Sequence, residues 1–322
     1  MLHITNGDVV RGCLRVGGVP GDMVAWNDVL HEGPVPAELS HAELSKVRAA
    51  FITSRGWCDP GEVMRDVLAH FRRRDRILAR YRDHDEVVLW FEHDLHDQLQ
   101  LIQLLAWFAE CDRGQTRLSL VQAPDYLGSM DPRRLARLFP RRRPVTARQL
   151  ALGARAWDAF RHPEPTRLAA LIDGDTSALP FLDGAILRLL EEYPSTHNGL
   201  SRTEERALGV IDTGRTRMVD AFFATARDCE ERVFLSDLSF RSLIEDLAGG
   251  PSPLLRIHRS KRSFLIRKAA LTRDGRAVLA GKADSVRLRG LDRWLGGVHL
   301  RGREVEWRWN RKEMQLEPGR PG

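Results

Sequence analysis

Glu86-Val-Val-Leu-Trp-Phe91, then Glu92-His93-Asp94-Leu95-His96-Asp97-Gln98, then Leu99-Gln-Leu-Ile-Gln-Leu-Leu-Ala-Trp-Phe108 follow one another without a break. The first run is short, apolar and rich in β-branched and aromatic residues, which predicts a buried strand. The third is long enough and apolar enough for a buried helix. Between them, polar and titratable side chains crowd the point where the strand runs into the helix. In open α/β sheets ligands sit outside the carboxyl ends of the strands, so this stretch points both to a fold class and to a site.

Working outward, Leu2-His-Ile-Thr5 reads as a strand, Asn6-Gly7-Asp8 as a turn, and Val9, Val10, Cys13 and Leu14 have helical spacing. Gly17 to Gly21 stops that helix, and Asp22-Met-Val-Ala-Trp26 predicts a second strand. After a loop from Asn27 to Pro36, helices are expected over 37–54 and 61–82, and Arg117 to Gln122 is a further strand. Strands separated by helical stretches predict parallel βαβ units, a Rossmann-like α/β domain over residues 1–165. A helical stretch is expected from Pro132 to Phe160 across the proline and arginine run at 140–144, and His162-Pro-Glu-Pro165 reads as a boundary.

Residues 166–316 change character and predict a mainly helical, winged-helix-like domain. Phe181 to Glu192 is an amphipathic helix, and Ser201-Arg-Thr-Glu204 is a capping box that opens another. Helices are expected over 215–229 and 236–248. Leu254 to Ile257 and Phe264 to Arg267 then read as a β-hairpin, with Thr272 capping a last helix. The tail 317–322 is expected to be disordered.

The chain has 322 residues, 43% hydrophobic and 29% charged, the balance of an ordinary soluble protein with room for two domains. No run approaches the roughly 18 apolar residues of a membrane span. The first residues lack the basic start and apolar core of a signal peptide, so a cytoplasmic protein with no membrane partner is expected. Cys13, Cys58, Cys111 and Cys229 are too scattered for a zinc knuckle or a disulfide framework and are expected as buried thiols. The net charge of +6 permits nucleic-acid contact through the C-terminal domain without demanding it. Arg72-Arg73-Arg74 and Arg141-Arg142-Arg143 read as solvated faces.

If the sheet is parallel, three loops converge. Asn6, Gly7, Asp8 and Asp28 are candidates for binding a cofactor; Glu92, His93, Asp94, Asp97, His31 and Glu32 are candidate acids and bases; His93, Asp94 and Asp8 are candidate metal ligands. Converging carboxylates and imidazoles suit a divalent metal, or an acid and a base with separated pKa values; a nucleotide is the other cofactor considered. The turn at Asn6 is not a GxGxxG fingerprint, and a carboxylate there repels phosphate, so Asp8 fits a ribose hydroxyl, a metal or a helix cap. His31-Glu32 runs into Gly33-Pro34, a loop and not the helical HExxH of zinc proteases. The alternative for 92–97 is a cap from Asp94 or Asp97 with Glu92 and His93 in solvent. At i,i+4, His93 would pair with Asp97.

Asp292, Arg293, Trp294 and His299 surround Gly296-Gly297, either as a hairpin packed through its Trp or as a segment completing the first domain's pocket. Glu306-Trp-Arg-Trp-Asn-Arg-Lys312 is either a base-stacking tail or an edge strand.

Leu2-His-Ile-Thr-Asn-Gly-Asp8, Trp26-Asn-Asp-Val-Leu-His-Glu-Gly-Pro34 and Leu89-Trp-Phe-Glu-His-Asp-Leu-His-Asp-Gln98 together resemble the bacterial DUF1835 domain family. Residues 179 to 309 resemble the DUF3658 domain that accompanies it. The resemblance implies a two-part layout and supplies no catalytic residues.

The function expected first is an enzyme that hydrolyses, or transfers a group on, a phosphorylated or nucleotide-like small molecule at the strand ends. The alternatives are a DNA-binding regulator, with Arg202, Arg206, Arg215 and Arg217 as candidate contacts and the first domain as ligand sensor, or a non-catalytic interaction module. Oligomeric state has no signature in the sequence.

Overall fold

Short β-branched runs and amphipathic stretches alternate along the first half, and they fold as β1 (Leu2–Thr5), α1 (Asp8–Val16), β2 (Asp22–Ala25), a two-residue β3 (Gly33–Pro34), α2 (His41–Ser54), α3 (Met64–Ala79), β4 (Glu86–Phe91), α4 (Leu95–Glu110), β5 (Arg117–Gln122), α5 (Pro132–Ala136), β6 (Arg143–Pro144), α6 (Ala147–Arg161), α7 (Thr166–Ala169) and α8 (Leu182–Leu190). The computed structural model describes residues 1–258 and 263–319. The chain divides into two units, Met1–Ile186 with Gly296–Val298, and Leu187–Leu295 with His299–Gly322, so the division falls beyond the expected 165.

The first unit is α/β, built on a five-stranded sheet in the order β2-β1-β4-β5-β6. The pairings β1–β2, β1–β4 and β4–β5 are parallel, and only β6 is antiparallel. Thr5 pairs with Ala25 and with Trp90, which brings the carboxyl ends of β1, β2 and β4 to one edge of the sheet. A central parallel strand is covered on both faces, and β4 is accordingly buried along its whole length. On one face Val10, Leu14, Val88, Trp90, Val121, Leu127 and Leu135 form a core. On α4, Leu99, Leu101, Ile102, Leu104, Leu105 and Phe108 are all buried.

The single helical stretch expected over 132–160 is broken into α5, a 3-10 turn (Phe139–Arg141), β6 and α6. Pro140 and Pro144 lack the amide a continuing helix needs, and Thr146 restarts the chain as the N-cap of α6, accepting from the Gln149 amide. The segment at 290–300 contributes its turn, Gly296–Val298, to the first unit. There Gly296 O accepts from Val35 N at 2.8 Å and Gly297 N donates to Phe160 O at 3.0 Å.

The second unit continues with α9 (Arg202–Asp212), α10 (Met218–Phe223), α11 (Asp237–Ala248), β7 (Leu255–Ile257), β8 (Ala269–Leu271), α12 (Arg273–Leu279), α13 (Ser285–Arg289), β9 (Leu291–Gly296), β10 (Val298–Gly302), β11 (Trp307–Asn310) and β12 (Gln315–Pro318). Leu208, Ile211, Met218, Phe240, Ile244, Leu254, Leu271 and Val278 form its core. Ser201 and Glu204 close the expected capping box, and Thr272 caps α12 through the Gly275 amide.

The hairpin pairs β7 with β8, not with 264–267. Phe264–Ile266 closes instead into a 3-10 turn, Ile266 N to Ser263 O and Arg267 N to Phe264 O, while the Arg267 carbonyl accepts from Met218 N. Glu317 and Pro318, expected in a disordered tail, pair as the last strand, Trp307 opposite Pro318; residues 320–322 lie outside the described residues. The basic-aromatic stretch 306–312 is thus the partner strand of that hairpin.

Candidate functional site

Asp94 is the N-cap of α4: its side chain accepts from the Asp97 amide at 3.2 Å. That cap, a local property of Asp followed by a helical run, turns the chain so that Glu92, Asp94 and Asp97 face one another. One oxygen from each lies within 4.8 Å of the other two. All three are buried, at 5%, 3% and 1% exposure. Asp97 Oδ1 accepts from the Glu92 amide at 2.6 Å, and Asp97 Oδ2 accepts from Asn6 Nδ2 at 2.9 Å. Glu92 Oε1 accepts from the amides of Leu127 (2.7 Å) and Gly128 (3.3 Å) and from Asn6 Nδ2 (3.4 Å). Asn6 thereby ties the end of β1 to the end of β4.

Among the described residues no arginine or lysine forms an ion pair with any of the three. Burial pushes the Glu92 carboxyl up. It raises Asp94 to about 7, with the Glu92 charge adding to the effect. Asp97 is raised well above the usual carboxylate range by burial and by the charges of Asp94 and Glu92. Such an arrangement either retains protons near neutral pH, as an acid/base group does, or takes up a cation.

A second polar group lies on the same strand edge. Asp28, 1% exposed, pairs with Arg48 at 2.9 Å, and Arg48 also donates to the carbonyls of Val29 (2.8 Å) and Glu32 (2.7 Å). Gln100 Nε2 donates to the Asp28 carbonyl at 2.9 Å and lies 2.8 Å from His96 Nε2. Because the carbonyl contact fixes the amide orientation, His96 Nε2 accepts, and the ring carries its proton on Nδ1. Burial holds His96 down to about 4. The buried His31 ring meets His96 edge-on at 5.8 Å, and its Nε2 is 3.6 Å from Glu32.

The ten candidates therefore separate. Glu92, Asp94, Asp97 and Asn6 form one site; Asp28, His31 and Glu32 belong to the Arg48–His96 group. Asp8 is outside both: it is exposed, pairs with Arg11 at 2.7 Å and accepts from Asn27 Nδ2 at 2.6 Å. Gly7 is the N-cap position of α1 and gives it no side-chain cap. The chain is not yet helical at His93, so the i,i+4 spacing does not apply, and its ring packs on Tyr126 (4.9 Å) and Phe181 (5.9 Å). Sequence reasoning missed Arg48 and the Leu127 and Gly128 amides, which carry no local signal. It also left out His96 and Gln100, whose i,i+4 spacing was visible.

The arginines proposed as nucleic-acid contacts are engaged within the second unit: Arg202 with Glu191, Arg206 with Glu230, Arg215 with Asp228 and Arg217 with Asp220. No helix of the described residues is long and apolar enough to cross a membrane. No protein-family model matches the chain, and no curated protein sequence matches it.

Proposed function

We propose that the first unit is a Rossmann-like enzyme domain in which Glu92, Asp94 and Asp97 hold a divalent cation, and that it hydrolyses, or transfers a group on, a phosphorylated or nucleotide-like ligand. The observation that carries this reading is the group of three buried carboxylates with which, among the described residues, no arginine or lysine forms an ion pair. Hard divalent ions take oxygen ligands at roughly 2.0–2.6 Å, so oxygens up to 4.8 Å apart fit around one ion. The cation would polarise a phosphoryl oxygen or activate a water.

The chain's own residues position the ligands. Asp94 is fixed by the cap, Asp97 by Asn6 and the Glu92 amide, and Glu92 through Oε1 by Leu127 and Gly128. Asn6, with its second contact to Glu92, sets the spacing between two of the carboxylates.

Metal analysis of the purified protein, followed by thermal shifts with Mg²⁺, Mn²⁺ and Ca²⁺ after chelation, tests the reading. A cation-dependent rise in Tm that disappears in Asp94→Asn supports it. No bound metal and no shift with any of the three ions would overturn it. Hydrolysis of a generic phosphate ester, dependent on the stabilising ion and lost in Asp97→Asn, then tests the reaction class.

A further inference from the structure

The second unit holds a cavity of about 720 Å³ lined by three separate segments, 196–197, 281–288 and 308–318. Its carboxylates are already in use. Asp284 caps α13 through the Arg287 amide at 3.0 Å and accepts from Arg308 at 2.7 and 3.2 Å, while Glu317 accepts from Asn310 Nδ2 at 2.6 Å. Arg308 is fixed in turn by the Ser195 carbonyl at 3.2 Å. Asp284 is thus neutralised by Arg308, whereas Glu317 is hydrogen-bonded to a neutral amide and keeps its charge.

Two cations of the lining are left over. Lys282 and Arg287 are exposed, and among the described residues neither side chain forms an ion pair. The arginines of α9 and of the segment before α10, by contrast, are all paired. The His197 imidazole also lines the cavity. It lies against Gly281, where φ is +69° and a Cβ would come within 2.3 Å of the ring, so only glycine seats the imidazole there.

We propose that this groove binds a phosphate-bearing anion, as a nucleotide or as the backbone of a nucleic-acid strand, through Lys282 and Arg287. The volume is that of a small-ligand site. Thr196 and His197 can complement the cations by hydrogen bonding. No Trp, Tyr or Phe lines the cavity, so recognition is by charge and not by base stacking, and it is insensitive to base sequence.

The test uses the full chain and two probes, a nucleoside triphosphate followed by calorimetry and a fluorescent single-stranded oligonucleotide followed by anisotropy, each over a range of KCl. Lys282→Glu/Arg287→Glu is compared with Arg301→Glu/Arg303→Glu, an equal change of charge at exposed positions outside the cavity. The groove reversal is expected to weaken binding about tenfold or more and to lower the oligonucleotide's salt slope by about 2, whereas the control reversal has a smaller effect. Binding of the triphosphate alone identifies a nucleotide site, and binding of the oligonucleotide identifies a backbone site. Absence of binding by both probes at low salt, or equal weakening by the two reversals, would overturn the proposal. Circular dichroism, together with Lys282→Ala/Arg287→Ala, separates lost binding from lost folding.

Discussion

Glu86, the first residue of the buried strand β4, and Glu92, the residue just past its end, have opposite electrostatic surroundings. Glu86 accepts from Arg142 Nε at 2.8 Å and Nη2 at 3.0 Å, and from Ser119 at 2.7 Å, and Arg142 holds its carboxyl down to about 2. Glu92, beyond the other end, receives neutral N–H donors, and burial drives it upward. The chain neutralises its buried carboxylate at the amino end of the strand, whereas among the described residues no arginine or lysine pairs with the three at the carboxyl end, where α/β proteins bind ligands.

The first prediction concerns the paired end. Arg142→Met strips the main counter-charge from Glu86 and is expected to cost about 3 kcal/mol in urea unfolding, with much of the loss recovered in Glu86→Gln/Arg142→Met. Because the folded pKa of Glu86 is depressed, its contribution is present above the unfolded value of about 4.3 and is lost as pH falls toward 2. The wild type should therefore lose stability over that window, and the Arg142→Met variant should lose less. Equal pH dependence in the two would count against the pairing.

The unpaired end predicts the reverse. Asp94→Asn keeps a side-chain oxygen for the helix cap but removes one charge from the buried group, so in metal-free buffer at pH 8 it should raise Tm. A rise of about 2–4 °C corresponds to about 1 kcal/mol in a domain of this size. The folded pKa of Asp94 is raised, so its stabilising effect is full below about 3.8 and is lost as pH rises through about 7. The variant's advantage should accordingly vanish in acid. A variant that is less stable at every pH would show that the carboxylate is needed for the fold.

Much of this was legible because the signals are local. The short apolar runs of β1, β4 and β5 carry the period of parallel strands, Ser201 and Glu204 carry a cap, and Glu92, Asp94 and Asp97 lie within one turn of chain. What was illegible depends on partners distant in sequence. Arg48 reaches Asp28, and Arg142 reaches Glu86, in a chain so rich in arginine that neither is marked out. The short pieces failed for a different reason. Phe264-Leu-Ile suits a buried strand or a 3-10 turn equally, and the hydrogen bond from Met218 to Arg267 decides between them. The rings of Tyr126 and Phe181 that pack on His93 likewise lie far along the chain.

His3 gives a third prediction. The ring is fully buried, with Nδ1 3.0 Å from Trp90 Nε1 and Nε2 3.0 Å from the Pro20 carbonyl, so it is neutral with its proton on Nε2. His3→Leu leaves a buried indole N–H and a carbonyl without partners and is expected to cost about 2 kcal/mol or more in urea unfolding. Burial lowers the folded pKa below 6.5, so the folded state binds fewer protons than the unfolded one as pH falls below that value, and stability declines. Between the unfolded and folded pKa values the His3→Leu variant should show a shallower decline. If its slope matches the wild type, the ring does not titrate on unfolding as described.

Gly153 of α6 gives the last. A Cβ at this position would lie 2.5 Å from Leu105 Cβ and 3.1 Å from Leu105 Cδ1, so α6 and α4 approach more closely there than an alanine allows. Helix propensity alone makes Gly153→Ala stabilising by about 1 kcal/mol, whereas overpacking costs about 1–3 kcal/mol. The clash involves Leu105 Cβ, which cannot rotate away, so overpacking should win and the variant should be less stable in urea unfolding. Leu105→Gly removes the clashing atoms, and in that background Gly153→Ala should become neutral or stabilising. The cycle of the two substitutions therefore has a favourable coupling energy. Additive effects would mean that the two helices separate without cost, and that α4, which carries Asp97 and His96, is less firmly seated than its packing indicates.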